Sequence, residues 1–277
     1  MRIDDALTWA TFLLAGSDSP ELDARVLLAH VLDKETIYLM TWPERDISRE
    51  HKAEFEALVQ KRINGVPVAH LTGIREFWSL PLKVNDSTLI PRPDTEILVE
   101  AALEILPSQA NILDMGTGTG AVILALASER PQANCVGIDF SANAVKLATE
   151  NSKRLNIKNT VFKQSDWFEN VTSTFDLIVS NPPYIDKSDH HLSEGDVRFE
   201  PLSALVADDN GYSDIQLIAE QAIDYLNEGG KLMFEHGFEQ GESVRARLNK
   251  LGYLDIKTIK DYGGNDRVTS ATFRKRA

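Results

Sequence analysis

Asn181-Pro182-Pro183-Tyr184 comes shortly after an apolar run, Phe175 to Val179, that reads as a buried strand. Two consecutive prolines cannot extend a central strand, because neither offers an N–H to the ladder. The run therefore stops abruptly and presents Asn181 at a strand's carboxyl end, where open α/β sheets bind ligands. The four residues suit a flat, NH2-bearing group. The Asn181 side-chain oxygen and the Pro182 carbonyl can each accept one of its hydrogens, and the Tyr184 ring can lie against its face. Asn181, Pro182 and Tyr184 are thus candidate catalytic residues, and Pro183 completes the candidate substrate contact. A tight turn followed by a core tyrosine would use the same residues, so the tetrapeptide draws its weight from a second motif upstream.

That motif is Asp114-Met115-Gly116-Thr117-Gly118-Thr119-Gly120, directly after the apolar Ile112-Leu113. A glycine-rich turn between a strand and a helix lets the backbone approach a ligand closely. The helix after it, Ala121 to Arg130, fits a Val122/Ile123/Leu126 face and stops before Pro131. The next apolar segment, Cys135 to Ile138, ends at Asp139, which can accept hydrogen bonds from both hydroxyls of a ribose. The glycines alone are ambiguous. Gly116, Gly118 and Ala121 satisfy the dinucleotide pattern, with Asp139 at roughly the 20-residue offset it requires.

Two differences favour S-adenosylmethionine as the cofactor. The alternating loop of Gly116, Thr117, Gly118, Thr119 and Gly120 leaves a flat backbone platform for a methionyl group and ribose. Hydride transfer also has no use for Asn-Pro-Pro-Tyr at a later strand end. Asp166-Trp167, after the strand-like Val161-Phe162-Lys163, supplies a third strand-end site. There Asp166 can accept from an adenine amino group and Trp167 can cover the ring, although a core aromatic is an equal reading of Trp167. Asn181 borders the same ligand.

The composition is that of a folded enzyme: 277 residues, 43% hydrophobic and 26% charged, enough for a real core and for two domains. Cys135 is the only cysteine, which excludes an intrachain disulfide and a multi-thiolate metal site. The acidic, interrupted N-terminus does not read as a signal peptide, and no run is long enough to span a membrane, so a cytoplasmic location is expected. A net charge of −13 argues against direct, sequence-independent nucleic-acid binding. His190-His191 and His236 lack zinc-site spacing and are expected in a solvated loop and in strand-end packing, so no metal is expected.

Three parts are expected along the chain. Residues 1–72 read as helical, with a start at Ser19-Pro20-Glu21 that puts Leu22, Val26, Ala29 and His30 on one face. A second helix opens at Ser48 and carries Phe55, Leu58, Val59 and Arg62 at helical spacing up to Gly65. Residues 73–92 read as a β-hairpin linker, with Phe77 to Val84 and Leu89-Ile90 on either side of Asn85-Asp86-Ser87. Residues 93–277 open with a helix start at Pro93-Asp94-Thr95-Glu96. Strands are then expected at 111–115, 135–139, 161–164, 175–180, 231–235, 255–260 and 267–274, with helices between the earlier ones. That is an α/β, doubly wound, mostly parallel seven-stranded sheet, its last two strands an antiparallel hairpin.

With these motifs in place the chain resembles the protein-(glutamine-N5) methyltransferases that act on peptide-chain release factors. The resemblance rests on Ala69-His70-Leu71-Thr72-Gly73, Arg75-Glu76-Phe77-Trp78, Leu89 to Glu96, the 114–120 loop, Ser180 to Ile185, Asp196 to Pro201 and Glu235-His236-Gly237. It implies a Rossmann-like fold of the class I S-adenosylmethionine-dependent methyltransferases, with an N-terminal helical domain for substrate recognition. It also implies transfer of a methyl group to the amide nitrogen of the glutamine in a Gly-Gly-Gln motif, with class I release factors as protein partners. Arg198 and Glu200 are expected to be structural, and Arg92 is left open between partner binding and an ion pair. Two alternatives stand beside this reading. One is an adenine-N6 methyltransferase, because an exocyclic amine presents the same flat NH2. The other is an inactive binding protein that keeps the fold.

Overall fold

The structure is a computed structural model that describes residues 1–275, and it divides into two compact units. The first comprises Met1–Ile74 with Ser193–Phe199, the second Arg75–Leu192 with the described residues from Glu200 onward. Among the described residues no helix is long and apolar enough to cross a membrane.

The first unit is helical: α1 (Ile3–Leu13), α2 (Pro20–Leu32), α3 (Thr36–Thr41), α4 (Arg49–Ile63) and α5 (Val68–Thr72). Pro20 opens α2, where its missing N–H costs nothing. The Ser48 hydroxyl caps α4 by accepting from the His51 amide at 3.1 Å. Ile3, Ala6, Leu27, Leu28, Leu39, Phe55 and Val59 form the core, with Trp9 tilted against Phe55 at 6.0 Å between centroids. The buried residues of α2 are Asp23, Ala24, Leu27, Leu28, Ala29 and Val31, so Ala29 is buried as expected, whereas Leu22 and His30 are exposed. The face expected from Leu22 and His30 is therefore displaced. The cause is Asp23, a residue no apolar pattern would bury, which is drawn in by Arg62. Arg62 donates to Asp23 Oδ2 at 2.7 Å, Asp196 Oδ1 at 2.8 Å and the Val66 carbonyl at 3.3 Å. That fork ties the 193–199 segment to α4 within this unit.

The second unit, from Arg75, opens with the rest of strand β1 (Ile74–Phe77) and β2 (Leu80–Lys83), a separate two-stranded sheet. Their turn is Trp78-Ser79, with φ of 52° and 58°. Asn85-Asp86-Ser87 does turn, with the Ser87 amide donating to Asn85 Oδ1 at 3.0 Å, but it is not the hairpin turn, and the second strand expected at Leu89-Ile90 is corrected. Two left-handed residues make the turn whose twist suits a tight hairpin, usually a place for Asn-Gly. Tertiary bonds hold Trp78 there instead: its amide donates to Glu96 Oε1 at 2.8 Å and its indole to Glu129 Oε1 at 2.9 Å.

The remainder is α6 (Glu96–Ile105), β3 (Asn111–Met115), α7 (Ala121–Glu129), β4 (Asn134–Asp139), α8 (Ala142–Arg154), β5 (Thr160–Gln164), β6 (Phe175–Ser180), the short α9 (Asp208–Gly211), α10 (Ser213–Gln221), β7 (Leu226–Glu235), α11 (Gly241–Leu251), β8 (Leu254–Lys260) and β9 (Asp266–Thr272). The sheet order is β5-β4-β3-β6-β7-β9-β8, parallel except for β9, which pairs antiparallel with both β7 and β8. The expected seven strands and terminal hairpin are present. Both faces are apolar, as a sheet covered on both sides requires. Ile112, Leu177, Val179 and Met233 meet α6 and α7 on one face. Leu113, Met115, Ile178, Leu232 and Phe234 meet α10 and α11 on the other. Helix α7 is buried all round from Ala121 to Ala127, not only along the expected stripe, because it lies deep in the first of these cores.

Asp23 and Arg62 are 8% and 13% exposed. Removing one member of a buried pair strands the other charge, typically at about 3–5 kcal/mol. Arg62→Ala should lower unfolding free energy by that order in a denaturant titration. A loss below about 1 kcal/mol would mean that the pair behaves as a solvated surface bridge.

Candidate active site

The winding of the sheet creates one crevice. From β3 the chain moves outward to β4 and β5, then returns to place β6 on the other side of β3. Ligands bind outside the carboxyl ends of strands at such a switch point. A cavity of about 330 Å³ lies there, within the range of roughly 300–1,000 Å³ usual for small-molecule sites.

Its floor is the glycine loop after β3. Gly116, Gly118 and Gly120 all have left-handed φ, of 71°, 54° and 83°, a conformation that costs other residues dearly. At Gly118 a side chain would also project toward Thr88, across space that a ligand can use. The loop is stitched to β4. Asp139 Oδ2 accepts from the Gly118 amide at 2.9 Å, Oδ1 accepts from the Ser141 amide at 2.9 Å, and the Thr117 amide donates to the Ile138 carbonyl at 2.8 Å. Burial pushes the Asp139 carboxyl above its ordinary value, and these backbone donors oppose the shift. Beneath the loop Asp114 is fully buried and accepts from the Thr117 hydroxyl at 2.6 Å. Burial pushes Asp114 up to about 7, Thr117 opposes this and the charge on Asp139 adds to it.

The structure brings most of the expected residues to one cavity: Gly116, Thr117, Gly118, Thr119, Asp139, Asp166, Trp167, Asn181 and Pro183 line it. Trp167, at φ of 41°, both lines the cavity and packs against the core, so the two readings of it are compatible. Its carbonyl accepts from the Ser165 hydroxyl at 2.7 Å, which holds the turn. Gly120, Pro182 and Tyr184 are not on the wall. Gly120 caps α7, where an added side chain would press on Leu124 and Ala148. Pro182 is buried. The Tyr184 phenol donates to Glu235 Oε1 at 3.4 Å, because a buried carboxylate needs donors that water cannot supply.

Asn181 lines the cavity, and its side-chain nitrogen donates to Thr95 Oγ1 at 3.3 Å. That bond leaves the amide oxygen as an acceptor facing away from Thr95. Thr95 is also on the cavity wall, so the start of α6 reaches the site directly.

Sequence reasoning missed several wall residues. Asp114 was visible in the loop motif but reads as a strand end. Thr88, Leu89, Pro91, Ser203 and Asp214 come from segments with no local signal for a ligand. Phe140 lines the cavity while 70% exposed, which places it at the mouth. Thr88 Oγ1 is buried on this wall without a hydrogen-bond partner. The wall is braced by Glu200, whose carboxylate accepts from the Ile90 amide at 3.0 Å and from Arg92 at 2.7 Å. Arg92, left open above, is thus the ion-pair partner of Glu200. Arg198 instead donates to the Gly195 carbonyl and lies over the Phe199 ring.

The histidines divide as expected. His236 is buried, bonded to Thr269 Oγ1 at 2.8 Å and the Gly237 carbonyl at 2.9 Å, and burial lowers its basicity. His190 and His191 are exposed beside Asp189, with His191 Nδ1 2.7 Å from the carboxylate.

Comparison with known proteins agrees with this architecture. A family model described as the PrmC N-terminal domain matches residues 5–73, and one described as a methyltransferase domain matches residues 106–259. The chain is 57% identical to the release factor glutamine methyltransferase of Aliivibrio fischeri, over 92% of this chain and 91% of that one. It is 53% identical to the release factor glutamine methyltransferase of Vibrio cholerae, over 99% and 98%. Among solved structures, a methyltransferase from Pyrococcus furiosus superposes with a TM-score of 0.55 at 21% identity, covering 80% of this chain and 98% of that one, and shares the fold. The chain belongs to the release factor glutamine methyltransferase family.

Proposed function

We propose that the protein transfers the methyl group of S-adenosylmethionine to the side-chain amide nitrogen of a glutamine in a peptide-chain release factor, the glutamine of its Gly-Gly-Gln motif. One observation carries the cofactor assignment. The cavity wall holds Asp114, Asp139, Asp166 and Asp214, and no Lys or Arg among the described residues that line it. Such a site suits a cation and repels the pyrophosphate of a dinucleotide. The orphaned Thr88 hydroxyl and the open space above Gly116 and Gly118 fit a polar ligand laid against the loop. When bound, S-adenosylmethionine supplies an electrophilic methyl group on a sulfonium centre. Asp139 would hold the ribose, Asp166 and Trp167 the adenine, and the glycine loop the methionyl part.

The chain's own residues act on the acceptor. An amide nitrogen is a poor nucleophile because its lone pair is delocalised into the carbonyl. The Asn181 side-chain oxygen would accept one of its hydrogens, stabilise positive charge growing on nitrogen and help aim the lone pair. The Asn181–Thr95 bond pre-sets this acceptor. No general base is required, since the proton is lost after methyl transfer. The helical unit would hold the rest of the release factor, its remote contacts positioning the glutamine. Its exposed Phe12, Ile37 and Met40 offer apolar surface for that purpose. The direct test is mass spectrometry of a release factor incubated with the protein and labelled S-adenosylmethionine, with a nucleic-acid substrate in parallel. Label in the Gly-Gly-Gln peptide is expected, and label in nucleic acid alone would overturn the reading.

Three substitutions probe the assignments. Asn181→Ala should lower kcat by about 10²–10³, the cost of losing one preorganised contact to developing charge, with a smaller effect on cofactor affinity. Near wild-type turnover at saturating substrate would remove Asn181 from catalysis. Asp139→Ala should weaken S-adenosylmethionine binding in titration calorimetry by roughly 1.5–3 kcal/mol, the value of a charged hydrogen bond. Binding of NAD in place of S-adenosylmethionine would contradict the cofactor assignment. Ile37→Ser with Met40→Ser should raise KM for the intact release factor about tenfold or more, as hot-spot residues do. Activity on a short Gly-Gly-Gln peptide should be unchanged by that pair, and an unchanged KM for the intact factor would clear α3 of docking.

A further inference from the structure

One buried group lies beside the site without a part in the scheme above. Strand β7 ends at Glu235, and its register with β6 places Ser180 opposite Phe234, so Glu235 stands next to Asn181. Glu235 is 2% exposed, and its Oε2 has no well-aligned hydrogen-bond partner. Oε1 has a long bond from Tyr184, at 3.4 Å, and the Thr95 hydroxyl is the other donor that acts on the carboxylate. Arg267 is close enough to favour the charge but is itself engaged by Asp261 at 3.0 Å and Asp94 at 3.5 Å. A carboxylate kept this dry is costly, and packing alone gives no reason for it.

Thr95 supplies the reason. Its hydroxyl faces Glu235 and also receives the Asn181 side-chain nitrogen at 3.3 Å. A hydroxyl has one proton and two lone pairs. With the proton directed to the carboxylate, a lone pair remains for Asn181, and only the nitrogen end of that amide can meet it. The oxygen end is then left for the substrate. If Glu235 could itself donate, the Thr95 proton would be released toward Asn181 and would attract the amide oxygen. The nitrogen would then face the substrate NH2, donor against donor.

We propose that Glu235 is a positioning residue, whose carboxylate acts through the Thr95 hydroxyl to hold the Asn181 amide with its oxygen toward the substrate. The proposal rests on the reading of Asn181 as an acceptor for the glutamine NH2. The groups facing Glu235 are Tyr184, Thr95, Arg267 and Asp94, with Arg92 acting on Tyr184 in turn. Burial pushes Glu235 up to about 7, against Thr95, Arg267 and Tyr184, while Asp94 adds to the rise. The ionised form is the competent one, so kcat should fall as pH drops through about 7.

The test is kcat and KM for the full-length protein, with a release factor and S-adenosylmethionine, between about pH 6 and about pH 8.5. Glu235→Gln can donate, and it should lower kcat about tenfold or more with both KM values within about threefold of wild type. Its kcat should also lose the acid limb. Thr95→Val should lower kcat similarly, Thr95→Ser should restore it to within about threefold, and the double variant Glu235→Gln Thr95→Val should be no worse than the poorer single one. Should Glu235→Gln fail to fold by circular dichroism, the Thr95 pair alone decides. Wild-type kcat in Glu235→Gln or in Thr95→Val, losses that appear in KM instead, or multiplicative losses in the double variant would overturn the proposal. Absence of methyl transfer by the wild-type protein would instead overturn the function on which it rests.

Discussion

The parallel pairing of β3 with β4 on one side and β6 on the other is the constraint on which the site depends. Because the chain reverses its winding direction there, no crossover helix covers the carboxyl ends of those strands. The three chain segments that leave them are therefore free to bend into the glycine loop, the Asp139 turn and the Asn181 turn. Each bend is stabilised locally by backbone groups that would otherwise lack partners: Gly118 and Ser141 on Asp139, Thr117 on the Ile138 carbonyl. The Met115 carbonyl also accepts from the buried Ser180 hydroxyl at 2.7 Å, joining the glycine loop to the strand that carries Asn181.

The same geometry explains why carboxylates dominate. Asp114, Asp139 and Glu235 lie at or next to strand ends, all held above their ordinary values first by burial. A catalyst of methyl transfer to an amide handles positive charge twice, on the sulfonium and on the nitrogen as it is alkylated. Partly desolvated carboxylates and amide oxygens act more strongly on such charge than the same groups in water. Hydrophobic walls set their strength as much as proximity does.

Glu200 has a different task. Its buried carboxylate gathers the Ile90 amide and the Arg92 guanidinium, and the flanking residues Leu89, Pro91, Pro201 and Ser203 line the cavity. Two chain segments more than a hundred residues apart are thereby held as one wall. Losing such a clasp would loosen the cavity without touching any residue that contacts a ligand directly.

Local chemistry alone determined much of this protein. Apolar runs ended by Gly, Asp or Pro-Pro marked the strands and their functional ends, because strand termination and ligand approach demand the same few residue types. Strand-like runs with helices between them required a doubly wound, mostly parallel sheet, and the glycine spacing and strand-end Asp139 marked the end of the sheet where the cavity lies. Residues that act through distant partners were not legible. Trp78-Ser79 forms a hairpin turn because Glu96 and Glu129 hold it, whereas turn propensity favoured Asn85-Asp86-Ser87. Asp23 shifts the expected face of α2 because Arg62, 39 residues away, pairs with it. Tyr184, placed on the substrate by its motif, spends its phenol on Glu235. Thr95 and Asp214 became wall residues only by tertiary placement. Propensity and periodicity report what a residue does with its own backbone. The tertiary structure decides which buried polar groups find each other, because that depends on desolvation and on contacts across the chain that no local window contains.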